Sequence, residues 1–100
     1  MPAVARRGRV QAAISTGGAS PGLARAIKEQ FAQWLDPAYA ECAEIVAGAR
    51  RRAIDSGAPA EQWRPRLERL LDGRLLRAAR EQGREAAKNL AERIMQDGAD

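Results

Sequence analysis

The stretch that most constrains this chain is Val10-Gln11-Ala12-Ala13-Ile14-Ser15, followed at once by Thr16-Gly17-Gly18-Ala19 and then Ser20-Pro21. Val10, Ala12 and Ile14 alternate with Gln11, Ala13 and Ser15, the period-two pattern of a short strand with one buried face. The two adjacent glycines end the strand in a loop. Ser20 offers an N-cap hydroxyl, and Pro21 suits the first helical position, where its missing N–H costs nothing. Strand, glycine loop and capped helix follow one another directly.

The rest reads as helix. The first helix carries Leu23, Ile27, Phe31, Trp34 and Leu35 at spacings that predict one inward face, and it ends at Asp36-Pro37. Asp36 and Pro37 start a second helix with Tyr39, Cys42 or Ala43, Val46, Ala49 and Ala53 inward, running to about Ile54. Ser56-Gly57-Ala58-Pro59 is a break. A third helix covers roughly Pro59 to Leu71, with Trp63, Leu67, Leu70 and Leu71 inward; Pro65 predicts an irregular or delayed first turn, and Gly73 ends it. The last helix is expected from about Leu75 to Gln96, weakened at Gly83 by roughly 1 kcal/mol relative to alanine. The expected fold is mainly α, of α+β type: one short N-terminal strand followed by about four helices. Met1 to Arg9 reads as a polar, basic lead-in. Since one strand cannot make a sheet, Val10–Ser15 is expected to pair with another copy or another domain, so the chain is expected to be incomplete alone.

Composition points the same way. A chain of 100 residues is at most one ordinary domain. Its 45% hydrophobic content is largely alanine and only 4% is aromatic, a thin core that gains from burial against a second surface. There are 17 basic residues against 13 acidic, and Lys28 and Lys88 are the only lysines. Arginine makes two-pronged hydrogen bonds with carboxylates and phosphates, which permits an anionic partner. A net charge of +4, interleaved with acids on every helix, reads more simply as solvated faces and does not demand nucleic acid. Arg50, Arg51 and Arg52 read as such a face. Histidine is absent and Cys42 stands alone, which excludes an internal disulfide, a thiolate metal cage, histidine metal ligands and a Ser-His-Asp triad. Cys42, on an apolar face, reads as core. No metal ligand or catalytic residue is expected in the chain. No apolar run is long enough to span a bilayer, and the N-terminal arginines lack a signal-peptide core after them, so a cytoplasmic location is expected.

The loop has its own chemistry. Gly17 and Gly18 let successive N–H groups turn towards one point, at a helix N-terminus whose dipole favours an anion by about 0.3–1 kcal/mol per charge. Ser15, Thr16 and Ser20 add hydroxyls. The same residues also suit an ordinary strand-to-helix connection in which Ser20 only caps. No Gly-Lys-Ser/Thr follows, so this is not a Walker loop, and the dinucleotide fingerprint GxGxxG is absent.

Ile-Ser-Thr-Gly-Gly-Ala-Ser-Pro-Gly-Leu-Ala-Arg, from Ile14 to Arg25, resembles the central signature of the siroheme synthase family, the precorrin-2 dehydrogenases and sirohydrochlorin ferrochelatases. Met1-Pro2-Ala3 with Arg7-Gly8-Arg9-Val10 resembles the stretch before that signature. Ile27-Lys28-Glu29, Trp34-Leu35-Asp36-Pro37, the arginine-rich second helix and Trp63 to Arg74 resemble, in pattern, the family's downstream helices. The resemblance implies residues 1–8 as the remnant of an interdomain segment, 9–36 as the central strand-loop-helix, and 37–97 as a helical dimerisation region. It implies a homodimer formed through the 10–15 strand and the helices. It implies a carboxylate-rimmed tetrapyrrole, precorrin-2 or sirohydrochlorin, facing Ser15, Thr16, Gly17, Gly18, Ser20 and, as an outer candidate, Arg25. In the family an N-terminal Rossmann domain binds NAD and supplies an aspartate used in both reactions, oxidation of precorrin-2 and insertion of ferrous iron. Neither the fingerprint nor that aspartate has a counterpart here, so the chain alone is expected to bind no cofactor and to be inactive. A truncated gene model, an internal start, a deliberate domain boundary or a split enzyme with a separate nucleotide-binding chain would each account for this. The competing reading is a small, arginine-rich helical interaction module, with nucleic acid as its partner.

Overall fold

In the computed structural model, which describes residues 2–97, the chain runs β1 (Ala3–Arg7), β2 (Val10–Ile14), α1 (Pro21–Trp34), α2 (Pro37–Asp55), α3 (Ala60–Arg69), α4 (Arg74–Gln82) and α5 (Arg84–Asp97). The fold is mainly helical with a two-stranded sheet at its start. Two compact units, Met1–Ala40 and Glu41–Asp100, divide within α2. Among the described residues no helix is long and apolar enough to cross a membrane.

In the first unit, the expected lone strand is half of a hairpin. β1 and β2 pair antiparallel from Ala3↔Ile14 to Arg7↔Val10. Only Gly8 and Arg9 lie between them, and Gly8 has φ +62 while among the described residues no non-glycine residue has a positive φ. That is the pattern of a type II′ turn, which places glycine first and matches the twist of the strands it joins. A Cβ on Gly8 would also lie 2.8 Å from the Ala40 Cβ, so neither the turn nor the packing tolerates a side chain there. Residues 3–7, expected as a polar lead-in, therefore supply the partner that β2 was expected to find outside the chain. Arg6, Arg7 and Arg9 disguise them, because Val4 is the only β-branched residue among them.

A two-stranded hairpin is marginal alone, and this one packs on α1. Ala5 and Ala24 are buried, small side chains that let strand and helix approach closely. Arg7 fixes the arrangement. Its Nε donates to Leu35 O at 2.8 Å and a terminal nitrogen donates to Ala32 O at 3.0 Å. The last carbonyls of a helix have no partner inside it, and α1 has no basic residue in its own last turn. Arg7, reaching across from β1, fills that role.

The predicted inward face of α1 is largely overturned. Leu35 is buried, but Trp34 is 60% exposed, Leu23 48% and Ile27 40%, while Phe31 is half-buried. The hairpin covers the flank that carries Ala24 instead, leaving an apolar stripe on the outside. Trp34 keeps ring contacts with Phe31 at 5.3 Å and Tyr39 at 4.9 Å between centroids. α2 starts as expected at Asp36-Pro37: Asp36 Oδ1 accepts from Ala38 N at 3.1 Å.

In the second unit Ile45, Ala49, Leu70, Leu75, Ala78, Ala79, Ala87, Ala91 and Ile94 form the buried set. Cys42 and Trp63 are half-buried, and Leu71, expected inward, is 64% exposed. α3 runs straight through Pro65 instead of starting late. The expected last helix is two helices, because Gly83 takes φ +99 and ψ 172, a conformation essentially confined to glycine. Alanines on both sides of the break let α4 and α5 pack together. Arg66 of α3 donates to Met95 O at 2.9 Å, closing the C-terminal end of α5 as Arg7 closes α1. Before α4, the Asp72 carboxylate accepts from Arg74 N at 3.1 Å and from Arg74 Nε at 2.9 Å, and these bonds hold its pKa below the usual value.

Candidate functional site

The loop between β2 and α1 is built from the residues that the sequence singles out. Gly17 and Gly18 take φ +64 and +84, and a Cβ on either would meet nothing within 4 Å. Their requirement is conformational: two consecutive left-handed residues turn the chain, closed by Ala19 N donating to Thr16 O at 3.2 Å.

The three hydroxyls divide the work. Thr16 Oγ1 accepts from Ser20 N at 3.3 Å and donates to Ser20 O at 3.2 Å, so it braces the loop across its base. Ser15 Oγ accepts from Gly17 N at 3.3 Å. Ser20 Oγ accepts from Leu23 N at 3.2 Å, the N-cap bond of α1. Ser15 and Ser20 each keep an O–H proton to donate outward.

Helix α1 begins at this point with an unusual balance of donors. Pro21 has no N–H, Leu23 N is taken by Ser20 Oγ, and Ala24 N donates to Ser20 O. The Gly22 amide is left as the open donor of the first turn. No acidic side chain stands in that turn to offset the positive end of the helix dipole.

Ser15, Thr16, Gly18, Ser20, Pro21, Ala24 and Pro2 line a shallow pocket of about 210 Å³. The structure thus gathers four of the six sequence-predicted residues around one space. Gly17 shapes the loop without lining the pocket, and Arg25, exposed on α1, is not among its walls. Pro2 and Ala24 are pocket residues that the sequence does not announce. The hairpin register explains Pro2, since pairing Ala3 with Ile14 sets Pro2 opposite Ser15. The signal that points to it is Gly8, the turn residue of the hairpin.

A pocket of 210 Å³ is smaller than the roughly 300–1,000 Å³ of a typical small-molecule site. It has room for one edge of a ligand, such as a single carboxylate arm. Among the described residues no three His, Cys, Asp or Glu side chains gather as a metal site.

The sequence of this site carries a family mark. The family described as "Sirohaem biosynthesis protein central" matches residues 7–33, which include the turn of the hairpin, β2, the whole loop and nearly all of α1. Beyond that stretch, 99% of the chain aligns at 32% identity with a siroheme synthase of Thioalkalivibrio sulfidiphilus. The chain belongs to the siroheme synthase family. A siroheme synthase of Gluconobacter oxydans is 40% identical over 97% of the chain, and siroheme synthase 1 of Halorhodospira halophila is 37% identical over 72% of it. The chain spans only about a fifth of the first two siroheme synthases and 15% of the third. The family resemblance therefore extends through both compact units, while the pocket-forming loop lies wholly inside the matched central region.

Proposed function

We propose that this chain forms one wall of the tetrapyrrole cleft of a siroheme biosynthesis enzyme, together with its dimerisation region. The observation that carries the reading is the convergence of Ser15, Thr16, Gly18 and Ser20 on a pocket at the N-terminus of α1, within the family-matched stretch. A tetrapyrrole of this pathway is rimmed with carboxylates. One of them meets the Ser15 and Ser20 hydroxyls, which line the pocket, and an unneutralised helix dipole, all of which favour an anion. Thr16 acts as a positioning residue, because both sides of its hydroxyl are already engaged with Ser20.

Oxidation of precorrin-2 and insertion of ferrous iron belong, in this reading, to the complete enzyme, with iron as substrate. The described residues do not fit NAD: the sheet is an antiparallel hairpin with no βαβ unit, and the loop lacks the glycine fingerprint. The exposed Leu23, Ile27 and Trp34 of α1 support a surface that is covered in an assembled dimer.

The test is an absorbance titration of the 100-residue chain with sirohydrochlorin and with its carboxyl-esterified form, alongside sedimentation velocity. The free acid is expected to bind, the ester at least about tenfold more weakly, and the chain is expected to sediment as a dimer without oxidising precorrin-2 when NAD is added. Equal binding of acid and ester would overturn the carboxylate assignment. Salt-sensitive binding to DNA in place of tetrapyrrole would favour the interaction-module reading.

A further inference from the structure

The second unit holds a larger, open pocket, about 370 Å³, lined by residues of α2, α3, α5 and the turn before α3. It lies outside the matched residues 7–33, and nothing in the cleft reading uses it. We propose that this cavity binds a small monocarboxylate with a flat apolar body.

Its volume falls within the range of small-molecule sites. Trp63, Ala53 and Met95 supply an apolar lining, with one aromatic ring for a planar ligand to lie against. Arg52, Arg66 and Glu92 supply the charge, two cations against one carboxylate. A single ligand carboxylate balances that set, whereas a cation or a neutral ligand leaves it uncompensated.

Arg66 is held in place, and Arg52 is the exposed member of the pair. Arg66 is half-buried and spends one terminal nitrogen on Met95 O at 2.9 Å, which anchors the guanidinium and leaves its other N–H donors for a ligand. Arg52 lies against Gly48 one turn earlier on α2. A Cβ at position 48 would come within 3.3 Å of an Arg52 terminal nitrogen. A planar guanidinium held as that of Arg66 is suits two-pronged recognition of a carboxylate.

Calorimetric titration of the full chain with naphthalene-1-acetate, and with naphthalene-1-ethanol as the neutral counterpart, tests the site. The acid is expected to bind with a Kd of about 0.1–1 mM, and the alcohol at least about tenfold more weakly. Arg52→Gln, an exposed position whose loss leaves the fold intact, is expected to weaken the acid about tenfold. Ala53→Phe is expected to fill the cavity and abolish binding. In NMR spectra of the unaltered chain, the Trp63 indole signal is expected to shift with the acid while that of Trp34 stays in place. Equal affinity for acid and alcohol, an unchanged Kd in Arg52→Gln, or an unshifted Trp63 would each overturn the proposal. The last two readouts decide it even if Ala53→Phe does not fold.

Discussion

Two arginines show how far a residue can depart from what composition suggests. The arginine content reads as solvated surface, and Arg51, paired with Asp55 at 3.5 Å on an exposed face, behaves that way. Arg7 and Arg66 do not. Each crosses from one element to the carbonyl end of a helix, where unpaired acceptors and the negative end of the dipole await a donor. Sequence cannot mark them, because their partners lie 25 to 29 residues away. Hydrogen bonds to charged groups contribute about 1.5–3 kcal/mol, so Arg7→Met is expected to destabilise the chain by that amount in urea melts. Arg7→Lys should recover less than half, since an ammonium lacks the fork that reaches both carbonyls. Two glycines make a second comparison. Gly17→Ala has conformational strain alone to meet and is expected to cost about 1–2 kcal/mol. Gly8→Ala adds the 2.8 Å clash with Ala40 and is expected to cost about 2–4 kcal/mol. Equal midpoints for the two variants in the same denaturant series would count against the close approach at Gly8.

At the scale of elements, legibility tracks local signals. The capped start of α1 at Ser20-Pro21, the break at Asp36-Pro37 and the turn at Ser56–Pro59 are written in residues whose backbone preferences are strong, and the structure has all three. β1 is hidden because its partner choice depends on one glycine and its own composition is mostly alanine and arginine. The α4–α5 break shows in sequence only as a weak point, since Gly83 tolerates a helix as well as the positive φ it takes here. The face of α1 escapes for a different reason: periodicity reports which side chains align, and neighbours decide which aligned side is covered. The small Ala24 faces the hairpin, and the larger Leu23 and Ile27 do not. Leu23→Ala and Ile27→Ala are each expected to shift stability by less than about 1 kcal/mol in the isolated chain. Leu75→Ala, at a site 2% exposed, is expected to cost about 2–5 kcal/mol. Thermal melts of the three variants side by side check the assignment.

At the scale of the molecule, an unpaired strand no longer argues for incompleteness, because β2 has its partner within the chain. The proposed cleft wall rests instead on the loop pocket, whose volume of about 210 Å³ admits one edge of a ligand. Of the candidate site, the loop chemistry is legible because glycines and hydroxyls declare themselves in order. The division between Thr16, whose hydroxyl is engaged on both sides, and Ser15 and Ser20, whose hydroxyls each accept one backbone N–H, emerges only from the hydrogen bonds. The most direct test of the cleft wall is an NMR titration of the ¹⁵N-labelled chain with sirohydrochlorin, read as amide shifts along the sequence. The largest shifts are expected at residues 15–24, with the Gly18 and Gly22 amides foremost. Shifts confined to α2–α5, or none at saturating ligand, would contradict it.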